Sequence, residues 1–237
     1  MSQLRPEVAV IVGVGPGLGS ALGRRCVEAG MSVALAARSP AVVTALAQEL
    51  GPGAQGLTCD ATDEGQVERL FAAVERQLGP PRLVIYNAGG FHRQSILSSS
   101  KEDFERGWRV GCLGGFLVGR AAARGMAERG EGTILFTGAT ASIRGSAQFQ
   151  NFAVGKFGLR ALAQSMAREL QPRGVHVAHI IIDGAIEGER SRSASQVAAA
   201  DSQLHPTAIA AAYLQLHKQE RSAWTHEIDL RPWTERF

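Results

Sequence analysis

Apolar and polar positions along the chain change their period roughly every ten residues. Short, continuously apolar runs rich in β-branched residues alternate with longer stretches in which apolar residues recur every three or four positions. The first pattern marks a strand buried on both faces, the second a helix that turns one stripe inward. Six runs read as strands: EVAVIVGV from Glu7, SVALAAR from Ser32, AQGLTCD from Ala54, RLVIYNAG from Arg82, GTILFTG from Gly132 and GVHVAHIII from Gly174. AWTHEIDL, from Ala223, is a short seventh. Helical spacing falls at 17–30, 40–50, 63–78, 103–129, 150–173 and 206–219. Pro40 suits a first helical turn, and Asp63 suits a helix cap. Strands alternating with helices predict β-α-β units, hence a parallel sheet with right-handed crossovers. The expected fold is one α/β, doubly wound domain over residues 1–237, with no linker. A serine-rich stretch, 188–203, is either an ordinary surface loop or a mobile lid over a substrate site.

Composition narrows the function. Of 237 residues, 45% are hydrophobic and 20% charged, enough for a large core. Net charge is +3 and no Lys/Arg run exceeds two residues, which argues against nucleic-acid binding. Cys26, Cys59 and Cys112 are odd in number and far apart, as expected of reduced thiols packed as small apolar groups. The N-terminal apolar run is too short to span a bilayer and lacks a cleavage pattern, so the expectation is a soluble cytoplasmic protein with no membrane contact. No metal-ligand cluster is evident. His176 and His179 stand an odd number of residues apart on a strand, so they face opposite sides. No G-x-S-x-G elbow occurs.

VGVGPGLGSALG lies between the first strand and the first helix. It does not fit G-x-G-x-x-G, but Gly13, Gly17 and Gly19 fit G-x-x-x-G-x-G. Glycine lets the backbone turn sharply and lets a pyrophosphate approach a helix N-terminus with no Cβ in the way. A dinucleotide with a free ribose wants an acid at the end of the second strand; this chain has Ala37 and then Arg38. A guanidinium suits a 2′-phosphate, which favours NADP(H) over NAD(H). Asp60, ending the third strand, has two roles open to it: accepting from the adenine amino group, or capping its own turn.

With GVGPGLG, CD at 59–60, YNAGG at 86–90 and FAVGK at 152–156 in this order, the chain resembles the short-chain dehydrogenase/reductase family over nearly its whole length. The resemblance implies a seven-stranded Rossmann-like sheet with a nicotinamide dinucleotide across its carboxyl edge. It implies cofactor contacts from Gly13, Gly15, Gly17, Leu18, Gly19, Arg38, Asp60, Ala61, Asn87, Ala88, Gly89, Lys156, Gly184 and Ile186. It also implies a homodimer or homotetramer built through the helices at 103–129 and 150–173. The family's catalytic asparagine, serine, tyrosine and lysine fall here on Gly111, Ala139, Phe152 and Lys156, so only the lysine is kept. Its proline-glycine after the sixth strand reads Asp183-Gly184, and its NNAG reads YNAG.

Hydride transfer to a ketone leaves an alkoxide that needs a proton and hydrogen bonds. Phe152 cannot donate and Ala139 cannot hold a carbonyl. Lys156 keeps a role that needs no tyrosine, donating to the ribose hydroxyls. Replacement donors by position are His92, Thr140, Ser142, Gln148, Asn151 and Asp183; Tyr86 reads as a core aromatic. Three readings follow: an NADP(H)-dependent oxidoreductase with an atypical site and a small-molecule substrate, a dinucleotide-binding protein without turnover, and a non-redox lyase, isomerase or cyclase on the same scaffold.

Overall fold

The computed structural model describes residues 6–188 and 202–235. Seven strands, β1 (Val8–Val12), β2 (Ser32–Ala37), β3 (Ala54–Thr58), β4 (Pro81–Tyr86), β5 (Gly132–Thr137), β6 (Val175–Ile182) and β7 (Glu227–Leu230), form one sheet. Its order is β3-β2-β1-β4-β5-β6-β7, and every adjacent pair is parallel. The helices are α1 (Leu18–Glu28), α2 (Pro40–Leu50), α3 (Glu64–Gln77), α4 (Lys101–Trp108), α5 (Gly114–Arg129), α6 (Gln150–Leu170) and α7 (Pro206–His217). They cover both faces, which is why the central strands are apolar at nearly every position rather than at every second one. On β1, Val8, Val10 and Val12 join the core under α3, α5 and α6, while Ala9 and Ile11 join the core under α1, α2 and α7. The crossovers leave β1 in opposite directions, and a crevice lies at the carboxyl edge of the sheet beside the ends of β1 and β4.

The expected helix over 103–129 is three pieces. Ser100 and Asp103 form a reciprocal capping box that starts α4 at Lys101. A five-residue π turn, Arg109–Leu113, then separates α4 from α5. This segment packs closely on α6. A Cβ on Gly107 would lie 2.6 Å from Asn151 O, and one on Gly111 would lie 2.7 Å from Gly155 Cα. Gly111, where the resemblance places the family's asparagine, is therefore a backbone contact with no room for a side chain. The Val110 carbonyl in the π turn accepts from the Tyr86 hydroxyl at 2.5 Å. Tyr86 is fully buried, a core aromatic with a polar handle.

The seventh strand is shorter than its apolar run suggests. The backbone N–H of Thr225 goes to Gln219 Oε1, and Trp224 Nε1 donates to Gln219 O, so this segment closes on α7's end before pairing begins at Glu227. Most of the serine-rich stretch lies outside the described residues.

Candidate functional site

The crevice is a cleft of about 530 Å³ whose floor is the turn from β1 into α1. Gly13 has φ +98°, and a Cβ on it would fall 2.2 Å from Ala88 N, so only glycine permits this backbone approach. Asn87 fixes the contact by donating from Nδ2 to Gly13 O at 3.0 Å. Gly19 lets α1 seat on the same turn; its Cβ would lie 2.7 Å from Val14 Cα. Gly15 and Gly17 behave differently. A Cβ on either would meet nothing within 4 Å, so both leave open cleft. Helix α1 begins there with no side-chain cap and no acidic residue in its first turn, so its first N–H groups are unclaimed by side chains.

Arg38 and Ser39 line the cleft at the end of β2. Ser39 is the N-cap of α2, its hydroxyl makes no capping bond, and the first turn of α2 has no acidic residue. Ser39 was missed by sequence reasoning, although its place beside Arg38 at a strand end was the available signal. Asp60 Oδ1 accepts from Thr62 N and Oγ1, both at 2.9 Å, so the turn-capping role is real. Its other oxygen makes no hydrogen bond to a described residue. Ala61, Asn87, Ala88, Gly89 and Ile186 complete the expected lining.

Two expected contacts stand outside that lining. Gly184, at φ +148°, packs on the chain instead; its Cβ would lie 2.8 Å from Pro232 Cδ. Lys156 stands behind Gly89, where an added Cβ would come 3.5 Å from Lys156 Nζ. It is 4% exposed and donates to Thr137 O at 2.6 Å. Burial pushes its ammonium down to about 8, and among the described residues no carboxylate pairs with it. Phe152 is one turn earlier, its ring centroid 5.7 Å from Nζ.

The proposed replacement donors are mostly engaged elsewhere. Thr140 Oγ1 donates to Asp183 Oδ1, and Asp183 also pairs with Arg231 at 3.2 Å. Asn151 is held by Gln94 and Ser99. Gln148 takes Arg93 Nε on its side chain and Gln94 N on its carbonyl. Ser142 is fully buried; its Oγ accepts from Ala139 N at 3.1 Å and lies 3.2 Å from His179 Nε2. The chain of contacts continues from His179 Nδ1 to Glu227 Oε2 at 2.9 Å, and from Glu227 to Arg160 through two bonds of 2.7 Å. This buried relay was not legible in the sequence, because it depends on His179 standing opposite Glu227 in the β6–β7 register. His176 lies on the other face, stacked on Trp224 at 4.8 Å. His92 is exposed. Among the described residues no group of three or more His, Cys, Asp or Glu is arranged to hold a metal, and no helix is long and apolar enough to cross a membrane.

The short chain dehydrogenase family matches residues 7–199. The chain belongs to that family. The chain is thus an oxidoreductase of the short-chain type, in a family that binds NAD(H) or NADP(H). Among curated relatives, the 3-oxoacyl-[acyl-carrier-protein] reductase MabA of Mycobacterium tuberculosis is 29% identical over 184 residues, 78% of this chain and 71% of that protein. The inactive 2-(S)-hydroxypropyl-CoM dehydrogenase 2 of Xanthobacter autotrophicus is 32% identical over 165 residues, 70% of this chain and 71% of that one. A solved short-chain dehydrogenase from Rhodopseudomonas palustris is 35% identical, with a TM-score of 0.83 over 97% of this chain and all of its own.

The buried histidines of this short-chain dehydrogenase give it a pH signature. Burial pushes His176, His179 and His217 down, His179 to about 4. Such groups are neutral in both states above about pH 6.5. Below it the unfolded chain takes up protons that the folded chain refuses, so stability falls as the pH drops. His179 alone accounts for about 3 kcal/mol by pH 4. Glu227, held low by Arg160, adds its loss as the pH falls below its ordinary value of about 4.5. Urea midpoints at pH 7.5 and pH 5 should differ, with the acidic one lower, and His179→Asn should shrink the gap. Equal midpoints for the wild type would contradict the assignment.

Proposed function

We propose that the protein is a single-domain, NADP(H)-dependent oxidoreductase that moves hydride to or from a small molecule without the family's tyrosine and serine. The observation that carries the reading is the β2 end of the cleft. Ala37 stands where a free ribose 2′-hydroxyl would want an acid, and Arg38, the uncapped Ser39 hydroxyl and the positive end of α2 converge beside it. A 2′-phosphate suits all three.

The rest of the cleft supports the same ligand. Gly15 and Gly17 leave room for a diphosphate against the start of α1. The unbonded oxygen of Asp60 is available to the adenine amino group. Lys156 has one protein acceptor among the described residues, so two of its N–H bonds remain for ribose hydroxyls beyond Gly89. When bound, the nicotinamide gives or takes the hydride. Gly111, Ala139 and Phe152 then offer nothing to an oxygen gaining charge. Two missing donors, each worth about 10²–10³ in rate, make simple ketones poor substrates. The proton comes from water.

Calorimetry tests the cofactor reading. NADPH should bind at least about 10-fold tighter than NADH, the low end of what a charge-assisted bond supplies, and Arg38→Ala should erase the difference. Equal affinity in the wild type, or a preference untouched by Arg38→Ala, would overturn it.

The enzyme works as a homodimer or homotetramer. Phe104, Trp108 and Phe116 on α4–α5, and Val154 and Phe157 on α6, are each 40–42% exposed. Exposed apolar side chains on these three helices suit a second copy. Light scattering should give at least twice the chain mass, falling to one chain in a Phe116→Asp, Phe157→Asp variant that still binds NADPH. A monomeric wild type would contradict the assignment.

A further inference from the structure

Two residues after Gly89, which lines the cleft, the chain reaches Phe91, whose ring packs on Phe149 and Phe152. The Phe91 ring lies 5.1 Å from Phe149 and 5.7 Å from Phe152, edge-on to the latter. Phe91 is nevertheless 65% exposed, and Ile143, Ile96 and Leu97 nearby in the chain are exposed as well. This wall is held in place. Gln148 sits at φ +69°, a conformation side-chain-bearing residues seldom adopt. It is kept there by bonds that tie the segment after Phe91 to the start of α6: Gln94 N to Gln148 O at 2.8 Å, and Arg93 Nε to Gln148 Oε1 at 2.7 Å. An aromatic ring with an open side packs on Phe152, whose own ring lies 5.7 Å from the buried Lys156 ammonium.

We propose that the substrate is a quinone, a planar conjugated dicarbonyl that stacks on Phe91 beside Phe152 and Lys156. The inference rests on the NADP(H) reading above. A quinone takes up one hydride from the reduced dinucleotide and becomes a hydroquinone monoanion. One proton from water completes the hydroquinone, and the dinucleotide is left oxidised. The charge that forms is an aryl oxide, whose conjugate acid has a pKa of about 10, like tyrosine. A ketone would leave an alkoxide about as basic as hydroxide, near 15.7. That gap of about six orders of magnitude is the size of the loss from two missing oxyanion donors, about 10⁴–10⁶. The lysine ammonium, within 5.7 Å of the Phe152 ring, adds attraction for the delocalised charge. The stacking face supplies what the missing donors would have supplied, a fixed orientation.

The probe is 2,3-dimethyl-1,4-naphthoquinone, whose blocked ring positions cannot alkylate the half-buried Cys112 thiol. Calorimetry into NADP⁺-saturated protein should give binding that weakens about 10-fold in Phe91→Ala, the loss of one stacking contact, and is restored in Phe91→Tyr. NADPH oxidation with this quinone should exceed that with cyclohexanone by at least about 100-fold in kcat/KM. NADPH affinity should be unchanged in Phe91→Ala. If NADPH binds but the quinone does not, or if Phe91→Ala binds it equally well, the proposal fails while the cofactor reading stands. Cyclohexanone turned over as fast as the quinone also overturns it. If NADPH itself fails to bind, both readings fall.

Discussion

Two backbones touch where Gly13 meets Ala88, and the working half of the molecule depends on that contact. A single added Cβ would sit 2.2 Å from the Ala88 nitrogen, a separation no relaxation of a side chain could relieve. Because the contact is made, the ends of β1 and β4 are locked by the Asn87 amide, and the turn into α1 is held on one side of the crevice rather than across it. Everything offered to a ligand follows from this. Gly15 and Gly17 project no atoms into the gap, α1 starts bare, and Arg38 and Ser39 close the far end.

The losses at the other end of the cleft are connected rather than scattered. Gly111 is not an asparagine with its side chain trimmed, because Gly155 occupies the place a side chain would need. Tyr86, taking the Val110 carbonyl of the π turn, fills the space opened by Gly114, where a Cβ would lie 2.4 Å from its hydroxyl. Ala139 is held by Ser142, which is itself turned inward to His179. Phe152 shares a ring contact with Phe91. On the proposed reading the cofactor half of a short-chain dehydrogenase is retained, while the positions that would handle a ketone oxygen make apolar and backbone contacts. Lys156 is the group common to both halves.

Much of the fold was legible because burial on both faces writes itself into the central strands as nearly unbroken apolar runs, and glycine at 13 and 19 answers to steric demands that other residues cannot meet. That Arg38 lines the cleft was legible from its position at a strand end. The candidate proton donors were not. Thr140, Asp183 and Ser142 each look available in one dimension, and each is spent on a partner 37 to 43 residues away in the chain. The π turn was hidden for the same reason, since the segment it packs closely on is α6. Asp60 shows the limit of a two-way reading: one of its oxygens caps the turn, and the other remains for a ligand.

A crystal structure with NADP⁺ bound tests the central claim most directly. The account predicts the diphosphate against the backbone of Gly15 to Gly19, the 2′-phosphate within hydrogen-bonding distance of Arg38 and Ser39, and the nicotinamide ribose within reach of Lys156 Nζ. A 2′-phosphate directed away from Arg38, or a diphosphate lying elsewhere than on that turn, would contradict it.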